Sequence, residues 1–122
     1  MVIIDGKVAY IGGMNIGKEY VGENKRITPW SDKHLRIEGE AVVCMQIQFF
    51  MDYLFVSKEK LSFDDENIAK KFFKLEAKKE NKAVQIVASG PDYKDPNIHH
   101  SYLKMINNAK ESIIIETPYL IL

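Results

Sequence analysis

Val2-Ile3-Ile4-Asp5-Gly6-Lys7-Val8-Ala9-Tyr10-Ile11-Gly12-Gly13-Met14-Asn15 is the stretch on which the reading of the fold turns. Two apolar runs flank Asp5-Gly6. Asp-Gly between such runs is the strongest short-range signal of a β-hairpin, because a tight primed turn needs residues that accept positive φ. The second run stops at Gly12-Gly13, where the chain needs backbone freedom or close approach to a neighbour.

Working outward, Met14 to Trp30 holds Gly17, Gly22 and Pro29 with little periodicity, so a loop is expected there, with a short helix near Ile16–Val21. His34-Leu35-Arg36-Ile37-Glu38 alternates polar and apolar residues and reads as a half-buried strand closed by Gly39. A helix from about Glu40 to Lys58 follows. It is apolar on most sides, as for a helix packed deep against a sheet. Ser62-Phe63-Asp64-Asp65 opens another helix, and lysines at 70, 71, 74, 78, 79 and 82 crowd its later turns, an order the helix dipole favours. Ala83 to Ala88 reads as a strand ended by Ser89-Gly90-Pro91-Asp92. Asp95-Pro96 reads as an N-cap followed by proline at the first helical position. Ile98, Tyr102, Met105, Ile106 and Ala109 then share one helical face, and Ser112–Glu116 forms a last strand. The expected class is α/β, a mixed sheet with flanking helices.

The composition of the 122 residues, 46% hydrophobic and 28% charged, is that of a folded chain. Seventeen basic residues balance seventeen acidic ones. That argues against nucleic acid as a partner, since such binding leaves a clearly basic footprint. A single phosphate group is a different matter, because a few local donors suffice to hold one. Cys44 is the one cysteine. It sits in the apolar run Ala41–Met45, so no intrachain disulfide forms, and a buried small hydrophobe in a reducing compartment is expected. Gln46, Gln48 and Asp52 interrupt the greasiest stretch, Ala41 to Val56. A spanning helix needs roughly 20 mostly apolar residues, so this segment is expected to stay out of the bilayer and the chain to be soluble.

Few residues carry obvious chemistry. His99 and His100 are neighbours, so on a helix their side chains diverge by roughly 100° and cannot share one ion. There is no Cys/His spacing for zinc, no phosphate-binding GxxxxGK[ST] loop and no GxSxG nucleophile elbow. The lysine-rich helix, with Ile68, Phe72, Phe73 and Leu75, fits a solvated face of a packed helix and, as the alternative, a membrane-surface helix. The informative set is Asp5, Gly12, Gly13 and Asn15, then Trp30, Asp32 and His34. Turns at one end of neighbouring strands can converge on a common pocket. Asp32 and His34, two apart at the start of a strand, face the same way, and an acid beside a histidine can orient it and raise its pKa. Turn chemistry and hydrogen-bonded structure account for these residues first, a shared pocket second.

These residues also carry a resemblance. The stretch from Val2 to Asn15 resembles the second part of the phospholipase D signature, His-x-Lys-x4-Asp-x6-Gly-(Gly/Ser)-x-Asn, with Asp5, Gly12, Gly13 and Asn15 in register. Trp30-Ser31-Asp32-Lys33-His34-Leu35-Arg36-Ile37-Glu38-Gly39 looks like the block that follows in bacterial cardiolipin synthases. Val84 to Asp92 and Ile115-Glu116-Thr117-Pro118-Tyr119 are similar to that family too. The resemblance implies a phosphohistidine mechanism in which a phosphatidyl group passes from one phosphatidylglycerol to another, with no metal or cofactor. It implies that Asp5 and Asn15 are remnants of the catalytic motif, and that Gly12, Gly13, Trp30, Asp32 and His34 lie on the substrate side.

Both ends of the chain fall inside apolar runs, and in this register the family's histidine and lysine would fall just before Met1. The expectation is therefore a central segment of a two-motif enzyme, inactive by itself: residues 1–58 closing a first phospholipase D-like repeat, 59–82 a charged inter-repeat helix, and 83–122 opening a second repeat. The parent is expected at the bacterial cell membrane with this region on the cytoplasmic side, and the segment is expected to self-associate through exposed strand edges. The alternatives are another enzyme of the superfamily, a phosphatidylserine synthase or a nuclease, and a non-catalytic interaction module.

Overall fold

The computed structural model describes residues 1–26, 29–59, 66–73, 82–117 and 119–120. They form two compact units, Met1–Val84 and Gln85–Leu122. In the first, β1 (Val2–Ile4), β2 (Val8–Gly12) and β3 (His34–Glu38) make an antiparallel sheet in the order β1-β2-β3. The Asp-Gly hairpin forms as expected. Asp5 (φ 54°) and Gly6 (φ 67°) both lie in the left-handed region, and the Lys7 N–H donates to the Ile4 carbonyl at 3.0 Å. Aspartate tolerates that region because its short polar side chain bonds locally. Gly6 has a second reason to be glycine, since a Cβ there would lie 2.5 Å from the Phe72 carbonyl oxygen.

The register sorts the sheet into two faces. Val8 pairs with Glu38, Tyr10 with Arg36 and Gly12 with His34, so these six share one face. Ile3, Ala9 and Ile37 lie on the other, where α1 (Ala41–Ser57) packs and Ala9 is fully buried. Gly39, at φ 88°, turns the chain out of β3, and its carbonyl accepts the Val42 N–H at 3.0 Å. Val42, Met45, Gln46 and Phe50 form the buried stripe of α1. That is narrower than the all-round burial its apolar composition suggests. Ile47, Phe49, Met51, Phe55 and Val56 remain exposed.

Cys44 is exposed as well, correcting the expectation of a buried thiol. At about 100° per residue it projects nearly opposite the Val42–Met45–Gln46–Phe50 stripe. Membership of the apolar run Ala41–Met45 cannot reveal that, because the run does not say which of its sides meets the sheet. α2 (Glu66–Phe72) lies against α1: the Phe50 ring meets those of Phe72 and Phe73 with centroids 5.2 and 5.5 Å apart. The expected helix start at Ser62 and the lysines at 74, 78 and 79 lie outside the described residues.

In the second unit, α3 (Asn97–Asn108) follows Pro96, which is itself the N-cap. Asp95 was expected in that role. With ψ at 70°, Pro96 sits outside the helix, and the Asp95 carbonyl takes the Asn97 N–H at 2.9 Å. The Asn97 side chain instead donates back to the Ala88 carbonyl at 3.2 Å.

The α/β class is borne out, with a sheet that is antiparallel throughout. Ala83–Ala88 and Ser112–Glu116, expected as strands, join no ladder among the described residues. An extended run becomes a strand only when a partner takes its N–H and C=O groups. The short helix expected near Ile16–Val21 is instead a series of turns, with Tyr20 N–H on the Gly17 carbonyl, Gly22 N–H on Glu19 and Glu23 N–H on Lys18. Among the described residues, no helix is long and apolar enough to cross a membrane.

Candidate functional site

The chain leaves β2 at Gly12 and returns to the sheet at His34, so the residues around these two points meet at one end of the ladder. Backbone packing there is close. A Cβ on Gly12 would lie 2.5 Å from both the Lys33 carbonyl oxygen and the His34 Nδ1, and one on Gly13 would lie 2.7 Å from Asp32 Oδ2. Any larger residue would displace the Lys33–His34 backbone or the Asp32 carboxylate. The two glycines thus bring the end of β2 against Asp32 and His34.

Asp32 is the polar centre of the cluster. Its Oδ2 accepts the Trp30 indole N–H at 3.2 Å and its Oδ1 accepts the Lys33 backbone N–H at 2.7 Å. The expected Asp32–His34 pair is therefore not what holds the imidazole. His34 stands over Gly12 and beside Tyr10, ring centroids 6.5 Å apart. Asp32 precedes β3 rather than lying within it, so the alternation that would align it with His34 does not yet operate.

Two side chains extend the cluster beyond the sequence-predicted set. Tyr20 comes from the loop and meets Trp30 edge-to-face at 4.6 Å, and its hydroxyl lies 3.5 Å from Asn15 Nδ2. Arg36 donates from Nε to the Tyr10 hydroxyl at 3.2 Å and pairs with Glu38. Strand alternation contained the Arg36 signal, because it places Arg36 two residues from His34 on the same face. Nothing in the aperiodic loop marks Tyr20.

The structure thus gathers Gly12, Gly13, Trp30, Asp32 and His34, with Asn15 reaching them through Tyr20. It does not gather Asp5. That residue occupies the hairpin turn at the other end of β2, roughly 14 Å away for a five-residue strand. There it borders a separate cleft of about 620 Å³, whose walls include Gly6, Phe49, Lys71 and Phe72.

At the end of α1, hydrogen bonding to Glu59 and the charge of its carboxylate push the Tyr53 phenol above its ordinary pKa.

Comparison with known proteins relates the chain to bacterial enzymes that make cardiolipin. It is 43% identical over 122 residues to the cardiolipin synthase of Listeria innocua, 41% to that of Staphylococcus aureus and 40% to cardiolipin synthase 2 of Staphylococcus epidermidis. Each alignment takes in 99% of this chain and 24% of the relative. The resemblance to bacterial cardiolipin synthases is borne out: the chain is similar over nearly its whole length to one stretch of them. It spans about a quarter of their length. No family model matches the chain, and no solved structure matches it.

Proposed function

We propose that these 122 residues form a central part of a cardiolipin synthase of the phospholipase D type. In that enzyme a phosphatidyl group passes between two phosphatidylglycerol molecules through a phosphohistidine. The identity of 40–43% over nearly the whole chain carries the reading. Residues 1–58 close the first catalytic repeat, 59–82 link the repeats and 83–122 open the second. Gly12, Gly13 and Asn15 lie on the phosphate side of the site, with Trp30, Asp32 and His34 on the substrate side. Asp5 supports the hairpin of the motif.

The nucleophile is supplied from outside these residues, because the 122 contain no His-x-Lys. Attack on a phosphodiester needs a histidine with a second group to protonate the leaving alcohol, and the chain alone turns over no substrate. The parent works at the membrane surface, where its lipid substrate resides, with this region on the cytoplasmic side. The balance of seventeen basic and seventeen acidic residues favours this reading over a nuclease.

Exchanging the corresponding stretch of the Listeria innocua cardiolipin synthase for this chain tests the proposal. The chimera is expected to make cardiolipin from phosphatidylglycerol. A folded chimera that makes none overturns the assignment. The isolated chain is expected to release neither cardiolipin nor phosphatidic acid, and turnover abolished by His34→Ala would instead make His34 the nucleophile.

A further inference from the structure

Gln46 is the polar member of the buried stripe of α1. It is 6% exposed, and its side-chain amide is hydrogen-bonded to no other described residue. Among the described residues, no fully enclosed side-chain nitrogen or oxygen lacks a partner, so this amide opens on a void rather than on packed apolar atoms. The void is the cleft of about 620 Å³ at the hairpin end of the sheet, which Gln46 lines together with Ile3, Phe49 and Phe72. Such a volume, with apolar walls and one placed polar group, is that of a small-molecule site. An amide held there without a partner is costly to leave unmatched.

The walls select the ligand. Glutamine presents a donor and an acceptor side by side. A carboxylate would match the donor alone and an ammonium the acceptor alone. A lactam, whose N–H and C=O point the same way, matches both at once. The Lys71 ammonium, 5.0 Å from the centre of the Phe72 ring, already takes a face of that ring. Half-exposed Phe49 is therefore the ring on which a flat ligand can lie. Asp5, Lys7 and Lys71 put both signs of charge on the border of the cleft, which suits a neutral molecule better than an ion of either sign. We infer that this cleft binds a neutral, planar heterocycle with a lactam edge, which pairs with Gln46 and rests on Phe49. The site lies at the opposite end of β2 from the Gly12–His34 cluster, and the inference is independent of the phosphodiester reading of that cluster.

The full chain is titrated with uracil and, separately, with 1,3-dimethyluracil, which keeps the ring and both carbonyls but has no N–H. The readouts are the Gln46 side-chain NH2 resonances and the backbone amide of Gly6, which also lines the cleft. Uracil is expected to shift both saturably, and dimethyluracil to bind at least tenfold more weakly through loss of the paired bonds. The cleft has room for two added methyl groups, so the difference reports pairing rather than size. Phe49→Ala should weaken uracil severalfold, and Gln46→Met should abolish the saturable shift at Gly6. Equal binding of the two pyrimidines overturns the inference, and so does undiminished uracil binding by Gln46→Met. A non-saturating drift of the Gln46 resonances means that water alone fills the cleft, and overturns it as well. The comparison of the two pyrimidines uses the unaltered chain, so it decides the matter even where Gln46→Met does not fold.

Discussion

At Gly6 two demands coincide: a positive φ and the nearness of the Phe72 carbonyl. Either alone disfavours a side chain. Gly6→Ala is expected to destabilise the chain by about 2 kcal/mol or more, read from the urea midpoint. Asp5 needs only the positive φ, so Asp5→Gly should stay within about 1 kcal/mol of the parent sequence. A large loss there would mean that its carboxylate supports more than the turn. Cys44 gives a second residue-scale test, because its exposure predicts stoichiometric labelling by a thiol reagent under native conditions. The contrast between Gly6 and Cys44 shows what the sequence could reveal. The turn at Asp5-Gly6 is dictated by residues next to one another. The exposure of Cys44 depends on which side of a mostly apolar helix meets the sheet, and the partners of Asp32 depend on where the loop returns.

Among the elements, α1 combines a buried stripe with an exposed apolar face. Met45→Ala, at 1% exposure, is expected to cost about 2–5 kcal/mol, whereas Ile47→Ala, at 42%, should change stability by no more than about 0.5 kcal/mol. Equal losses in a denaturant series would show that the outer face is covered. The helix ends on Lys58, a non-glycine residue at φ 57° whose N–H donates to the Leu54 carbonyl. A left-handed residue costs about 1–2 kcal/mol, part of which glycine returns through unfolded-state entropy. Lys58→Gly is therefore expected to stabilise by up to about 1 kcal/mol, visible as a higher melting temperature. The limits of α1 were legible within a residue because Gly39 and the end of the apolar run are local marks. The absence of ladders at 83–88 and 112–116 among the described residues was not, since pairing depends on a distant partner. The N-cap of α3 was one residue off, because Pro96 takes a ψ its ring does not fix.

For the molecule as a whole, the strand order leaves β1 and β3 as the outer strands of the sheet. Val2 and Ile4 on β1 are exposed. Unpaired apolar edges invite a second chain, and lysine on such an edge discourages it. Light scattering is expected to show association rising with concentration, reduced by Ile4→Lys. A clean monomer of the unaltered chain at high concentration would remove the edge from consideration. Between the well-specified ends of β2 and β3 runs the loop that carries Asn15, Tyr20 and Trp30, while the five-residue ladder beneath it keeps its own register. Loop closure grows only slowly with length, about 0.6 kcal/mol per doubling. Insertions and exchanges in this segment can therefore accumulate with little effect on the sheet. Over evolutionary time that separates change in the surface segment from the integrity of the scaffold: a lineage can rewrite the loop while the ladder beneath it stays fixed.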